Sequence, residues 1–129
     1  GLAAFGSALG SGTAGMTAIG AWKKCFIQNK PVPFLLVAFA GAPLTQTIYG
    51  FILMNAIRGG SLDGIGKLAV GIFAGLAMGA SALYQGKAAA YASDALAETG
   101  QGFGNYILVV GLVETVALFV MVFSLGLVG

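Results

Sequence analysis

The chain has 129 residues, of which 58% are hydrophobic and 8% are charged, and its net charge is +2. Soluble domains carry about 25% charged residues. This chain has too little polar surface to face water, so it is predicted to be an all-α, multi-pass integral membrane protein. It has no histidine, one cysteine and no block of basic residues, which excludes His-based catalysis, an internal disulfide and nucleic-acid binding.

Four long apolar segments follow one another along the chain, separated by most of its charged residues. About 20 apolar residues are needed for a helix to cross the hydrocarbon core of a bilayer. Backbone N–H and C=O groups there must be hydrogen-bonded to one another, which a helix achieves within a single segment. We therefore predict four transmembrane helices, at about residues 1–22, 34–57, 66–97 and 103–128. The first is expected to end before Lys23, which places Cys25 in a loop as a thiol with no structural task.

The helices differ in the size of their side chains. The first and third are rich in glycine, whereas the second and fourth carry larger Leu, Val, Phe and Met residues. Because small residues allow helix backbones to approach closely in lipid, we expect helices one and three to pack against protein and helices two and four to face lipid.

The two halves of the chain, residues 1–60 and 61–129, are predicted to be tandem-duplicated helical hairpins. A shift of 74 positions aligns helix one with helix three with 10 identities in 22 positions. Helix three is predicted to begin near Gly66, so the start of helix one is expected to precede Gly1. A shift of 68 positions aligns helix two with helix four and places Gln46 on Glu114. One repeat thus has a carboxylate where the other has an amide.

Glu114 lies near the middle of the fourth predicted helix and is its only charged residue. A carboxylate at the centre of a bilayer costs about 2.5–3.5 kcal/mol on insertion scales, and such residues are usually functional. Glu114 is therefore predicted to carry an ion.

Polar side chains at the same predicted depth are the expected partners of Glu114. Thr45, Gln46 and Tyr49 follow the spacing of one helical face in helix two, and Gln85 is the only amide within helix three. The hydroxyl, the two amide oxygens and the carboxylate suit a monovalent cation such as Na⁺. The Tyr49 hydroxyl is expected to bond to Glu114 and to close the site.

With these residues the chain resembles the duplicated, four-helix proteolipid subunit of V-type ATPases, called K or c, and especially its bacterial sodium-translocating form. The residues that carry the likeness are Pro43, Thr45-Gln46, Tyr49-Gly50-Phe51, Gln85-Gly86-Lys87 and Val113-Glu114-Thr115. The resemblance implies Na⁺ binding by five groups with Tyr49 as the gate. These groups are Glu114, Gln46, Gln85, Thr45 and the backbone carbonyl of Ala42.

The resemblance also implies an assembly. Identical subunits form a membrane ring that turns against a stator subunit bearing a basic residue, and central-stalk subunits connect the ring to ATP hydrolysis elsewhere. The chain has no phosphate-binding loop, so it is expected to be a non-catalytic subunit without an organic cofactor. The implied location is a bacterial plasma membrane.

Three other interpretations fit parts of the sequence. The same rotor could carry H⁺ on Glu114, since a proton needs only the carboxylate. A small four-helix antiporter for cations or drugs can also depend on one membrane glutamate, although the neighbours Val113 and Thr115 are not the aromatic residues that an organic cation favours. A structural tetraspan channel protein is a third, non-transport interpretation.

Overall fold

The computed structural model describes all 129 residues, and the chain is helical apart from short connections. Its helices, in chain order, are α1 (Leu2–Ile27), α2 (Leu36–Gly41), α3 (Thr45–Gly59), α4 (Gly64–Thr99) and α5 (Phe103–Val128). A 3₁₀ turn, Ala42–Leu44, joins α2 to α3, so these two form one interrupted rod and the molecule consists of four rods.

Three of the four rods are long and apolar enough to cross a membrane. They are the α2–α3 rod (Leu36–Gly59), α4 and α5. The 26 residues of α1 give it sufficient length, but its many glycine, serine and threonine residues lower its hydropathy. The all-helical membrane fold predicted from composition is thus found, with three spans identified in this way and the fourth left as a prediction.

The seam between α1 and α4 is the most extensively packed helix pair in the molecule. Glycines make it possible. A Cβ atom on Gly6 would overlap the backbone of Gly79, and one on Gly86 would overlap the backbone of Gly10. The close packing expected of the two glycine-rich helices is therefore confirmed, because their backbones touch where side chains are missing.

The bulky helices leave much of their apolar surface on the outside of the isolated chain. On α5 the exposed side chains include Leu112, Val116, Phe119 and Phe123. Buried residues of α5 such as Val110 and Ala117 face the other helices. This division agrees with a lipid-facing position for α5.

The end of α1 corrects two predictions. The helix continues to Ile27 instead of ending near Trp22, because lysine is a good helix former and the exposed Lys23 and Lys24 mark only the end of the apolar run. Cys25 is therefore a helical residue and not a loop thiol. It is 1% exposed, and its Sγ lies 3.8 Å from the carbonyl oxygen of Ala97 in α4.

The limits of α4 follow from local chemistry at each end. Asp63 caps the N-terminus, since its side chain accepts a hydrogen bond of 2.7 Å from the backbone N–H of Gly66. Gly100 ends the helix in the left-handed conformation at φ 67°, which glycine adopts without steric cost. The helix is four residues longer than the predicted range of 66–97, two at each end.

Candidate ion-binding site

The interrupted α2–α3 rod supplies the first part of the site. Pro43 lacks the N–H that a regular helix needs, and the rod is a 3₁₀ turn at this point before α3 begins at Thr45. The hydroxyl of Ser11 in α1 donates to the carbonyl oxygen of Ala40, three residues before Pro43, across 2.9 Å. Thr45 and Gln46 thus start a new helix directly beside the break.

Glu114 of α5 contacts this new helix. The hydroxyl of Thr45 donates to Glu114 Oε1, and the hydroxyl of Tyr49 lies 3.5 Å from the same carboxylate oxygen. Glu114 is half-buried in the isolated chain. The predicted pairing of the carboxylate with Thr45 and Tyr49 is present in the structure.

Three acceptor oxygen atoms lie around the Thr45 hydroxyl. Besides Glu114 Oε1, Thr45 Oγ1 has the carbonyl oxygen of Ala42 at 3.2 Å and Gln46 Oε1 at 3.3 Å. A hydroxyl has one proton and can satisfy only one acceptor at a time. The cluster therefore contains more acceptors than donors, an arrangement that a bound cation satisfies.

Gln46 and Gln85 are both buried, at 0% and 1% exposure. The Gln46 amide nitrogen donates to Gln85 Oε1 across 2.8 Å, and the Gln85 amide nitrogen donates to the Val110 carbonyl of α5 across 3.0 Å. The oxygen of Gln46 faces Thr45, whereas the oxygen of Gln85 faces Gln46. Gln85 thus lies within the predicted group but bonds to Gln46 and not to Glu114.

Ser81 is a member of this network that the sequence did not indicate. It is 6% exposed, it donates to the Val113 carbonyl at 2.9 Å, and it lies 3.4 Å from the Gln46 amide nitrogen. The available signal was its spacing, because Ser81 stands four residues before Gln85 and therefore one helical turn away on the same face of α4.

Lys87 takes no part in the cluster. It is exposed on α4, and its Nζ lies over the ring of Tyr84 at 4.8 Å from the ring centroid. The Lys87 ammonium group therefore makes a cation–π interaction with Tyr84 and forms no ion pair with Glu114.

Comparison with known proteins relates the second half of the chain to a protein family. Residues 68–127 fit the model of the ATP synthase C-subunit family. No curated protein and no solved structure matches the chain. The matched segment covers most of α4 and nearly all of α5, including Gln85 and Glu114. This half of the chain is thus similar in sequence to the C subunits of ATP synthases, the non-catalytic membrane rotor subunits of these enzymes and of related ATPases.

Proposed function

We propose that the chain is a rotor-ring subunit of a V-type ATPase and that it carries Na⁺ across the membrane on Glu114. The observation that carries the choice of ion is the excess of acceptor oxygens around Thr45. The carboxylate, the Thr45 hydroxyl, the Gln46 oxygen and the Ala42 carbonyl meet there, and a hard monovalent cation is suited by one anionic and several neutral oxygens. The match to the C-subunit family supports the rotor over a drug antiporter.

The division of the site between hairpins supports a duplicated subunit. The first hairpin contributes Thr45, Gln46 and Tyr49, and the second contributes Gln85 and Glu114. Neither hairpin holds the whole set. We infer four membrane spans per subunit, with the glycine seam of α1 and α4 fixing the two hairpins together, and a ring of identical subunits in a bacterial plasma membrane.

The transport cycle follows from charge. With Na⁺ bound, the Glu114 site is neutral and can pass lipid at low cost. When Na⁺ leaves, the bare carboxylate is costly in lipid and stays opposite a basic residue of the stator. Moving one charge against 100 mV requires about 2.3 kcal/mol, so rotation is driven through central-stalk subunits by ATP hydrolysed elsewhere.

Na⁺ is expected to protect Glu114 from modification by a carbodiimide, which attacks the protonated carboxyl group. Purified rings are labelled at constant pH with increasing NaCl, and choline chloride at equal ionic strength serves as the control. Millimolar Na⁺ should slow labelling, since the ion excludes the proton from the carboxylate. Equal labelling in both salts would instead support the rotor that carries H⁺.

Replacing Tyr49 with phenylalanine should weaken Na⁺ binding without preventing assembly. The substitution removes the hydroxyl that lies 3.5 Å from Glu114 Oε1 and keeps the ring. A lost hydrogen bond is worth about 0.5–1.5 kcal/mol, or roughly a 2- to 12-fold rise in the Na⁺ concentration that gives half-protection. Tyr91→Phe is the matched control, because Tyr91 is 81% exposed on α4. An unchanged Na⁺ requirement in Tyr49→Phe would remove Tyr49 from the site.

A further inference from the structure

We infer that Ser81 is a positioning residue that determines which end of the Gln46 side-chain amide faces the ion. The inference rests on the proposed function, since it assigns a cause to the oxygen-rich character of the site. Ser81 belongs to α4 and makes no hydrogen bond with Glu114. It acts through Gln46, which is fully buried in α3.

Two backbone carbonyls of α5 determine which groups of the network donate and which accept a hydrogen bond. A carbonyl oxygen has no proton and only accepts. Ser81 must therefore donate its proton to Val113, and Gln85 must present its amide nitrogen to Val110. Both carbonyls lie in the turn that precedes Glu114.

Gln46 is left with one favourable orientation as a result. The Ser81 oxygen and the Gln85 oxygen can now only accept, and both lie within 3.4 Å of the Gln46 amide nitrogen. That nitrogen has two protons to give, so both are used and the Gln46 oxygen is turned to the Thr45 side. Reversing the amide would place the Gln46 oxygen against two other acceptors.

The orientation of Gln46 decides how the site treats a cation. With the oxygen facing Thr45, Gln46 adds a lone pair to the cluster that surrounds Glu114 Oε1. With the nitrogen facing Thr45, it would direct hydrogen atoms of positive partial charge at the ion. Ser81 and Gln85 therefore favour Na⁺ binding through Gln46, because they accept the two Gln46 amide protons that would otherwise repel the ion.

The test substitutes Ser81 with alanine in the assembled ring. In Ser81→Ala, Gln46 loses one of two acceptors, and the Na⁺ concentration that half-protects Glu114 from carbodiimide should rise on the order of 3- to 10-fold. Ser7→Ala is the matched control. Ser7 aligns with Ser81 in the repeat, it is 2% exposed, and its hydroxyl has no hydrogen-bond partner. Ser81→Thr restores the hydroxyl, and a neighbouring groove of about 440 Å³ beside Ser81 can take the added methyl group.

A second readout does not depend on the transported ion. Exchange of the Gln46 side-chain amide protons, followed by NMR in Na⁺-free rings, should be faster in Ser81→Ala than in the wild type, Ser7→Ala or Ser81→Thr. Equal exchange in Ser81→Ala and Ser7→Ala would overturn the role of Ser81. Absence of Na⁺ protection in the wild type would overturn Na⁺ as the ion, and the exchange rates would then decide the role of Ser81 alone.

Discussion

Replacement of Glu114 with glutamine is expected to abolish ATP-driven Na⁺ uptake by vesicles that contain the assembled complex. The variant keeps the shape of the side chain but removes the only negative charge at the site. A cation there would be held by neutral oxygens alone, and an uncompensated charge at mid-membrane costs at least about 2.5–3.5 kcal/mol. Uptake of radioactive Na⁺ should fall by at least about 60-fold, since 1.4 kcal/mol corresponds to a factor of ten.

Glu98→Gln is the matched control for this experiment. Glu98 is an exposed acid near the end of α4, outside the oxygen cluster, and its variant should pump at the wild-type rate. Both variants should yield intact rings on a native gel, so that a loss of uptake is not a loss of assembly. Undiminished pumping by Glu114→Gln would end the proposal that this carboxylate carries the ion.

A second large effect is expected at the glycine seam. A Cβ atom on Gly86 would overlap the Gly10 backbone, and neither backbone can give way as a flexible side chain can. Gly86→Val should therefore separate α1 from α4, and overpacking of this kind costs typically about 1–3 kcal/mol. We expect a lower unfolding temperature in detergent and faster reaction of Cys25 with a maleimide, because this 1% exposed thiol is packed in the same seam.

Gly15→Val provides the control. Gly15 lies in α1, and a Cβ atom there would meet nothing within 4 Å, so the same substitution adds volume in open space. Its Cys25 reactivity and unfolding temperature should remain near those of the wild type. A Gly86→Val protein as stable as Gly15→Val would show that the close approach at Gly10 is not needed for the fold.

Much of the candidate site was accessible from the sequence because its members stand out against an apolar background. Glu114 is the only charged residue of its segment, and Thr45, Gln46 and Tyr49 share one face through the period of the α-helix. The structure places all of them next to one another. Ser81 was not predicted, since serine is common in these small-residue helices. Its role depends on hydrogen bonds to Gln46 and Val113 of other helices, which the sequence does not show.

The helix limits were less predictable for a physical reason. Charged residues indicate where the apolar run ends, but a lysine does not stop a helix. The predicted end of helix one was therefore wrong by about a turn, and Cys25 was misplaced with it. Proline has no N–H to donate within a helix, but this alone does not fix the local conformation at Pro43. The structure has a 3₁₀ turn there, followed directly by Thr45, and a hydrogen bond from Ser11 of α1 to the Ala40 carbonyl lies beside it. Contacts between helices of this kind are not visible in the sequence.

The proposed duplication aligns Gln46 with Glu114, which has a consequence for the energetics of the proposed rotor ring. If each subunit has one carboxylate in two hairpins, a ring moves half as many ions per revolution as a ring with a carboxylate in every hairpin. The same work of rotation is then divided among fewer ions, and each receives twice as much energy. Such a rotor moves fewer ions per revolution, but it can pump each of them against a steeper ion gradient across the membrane.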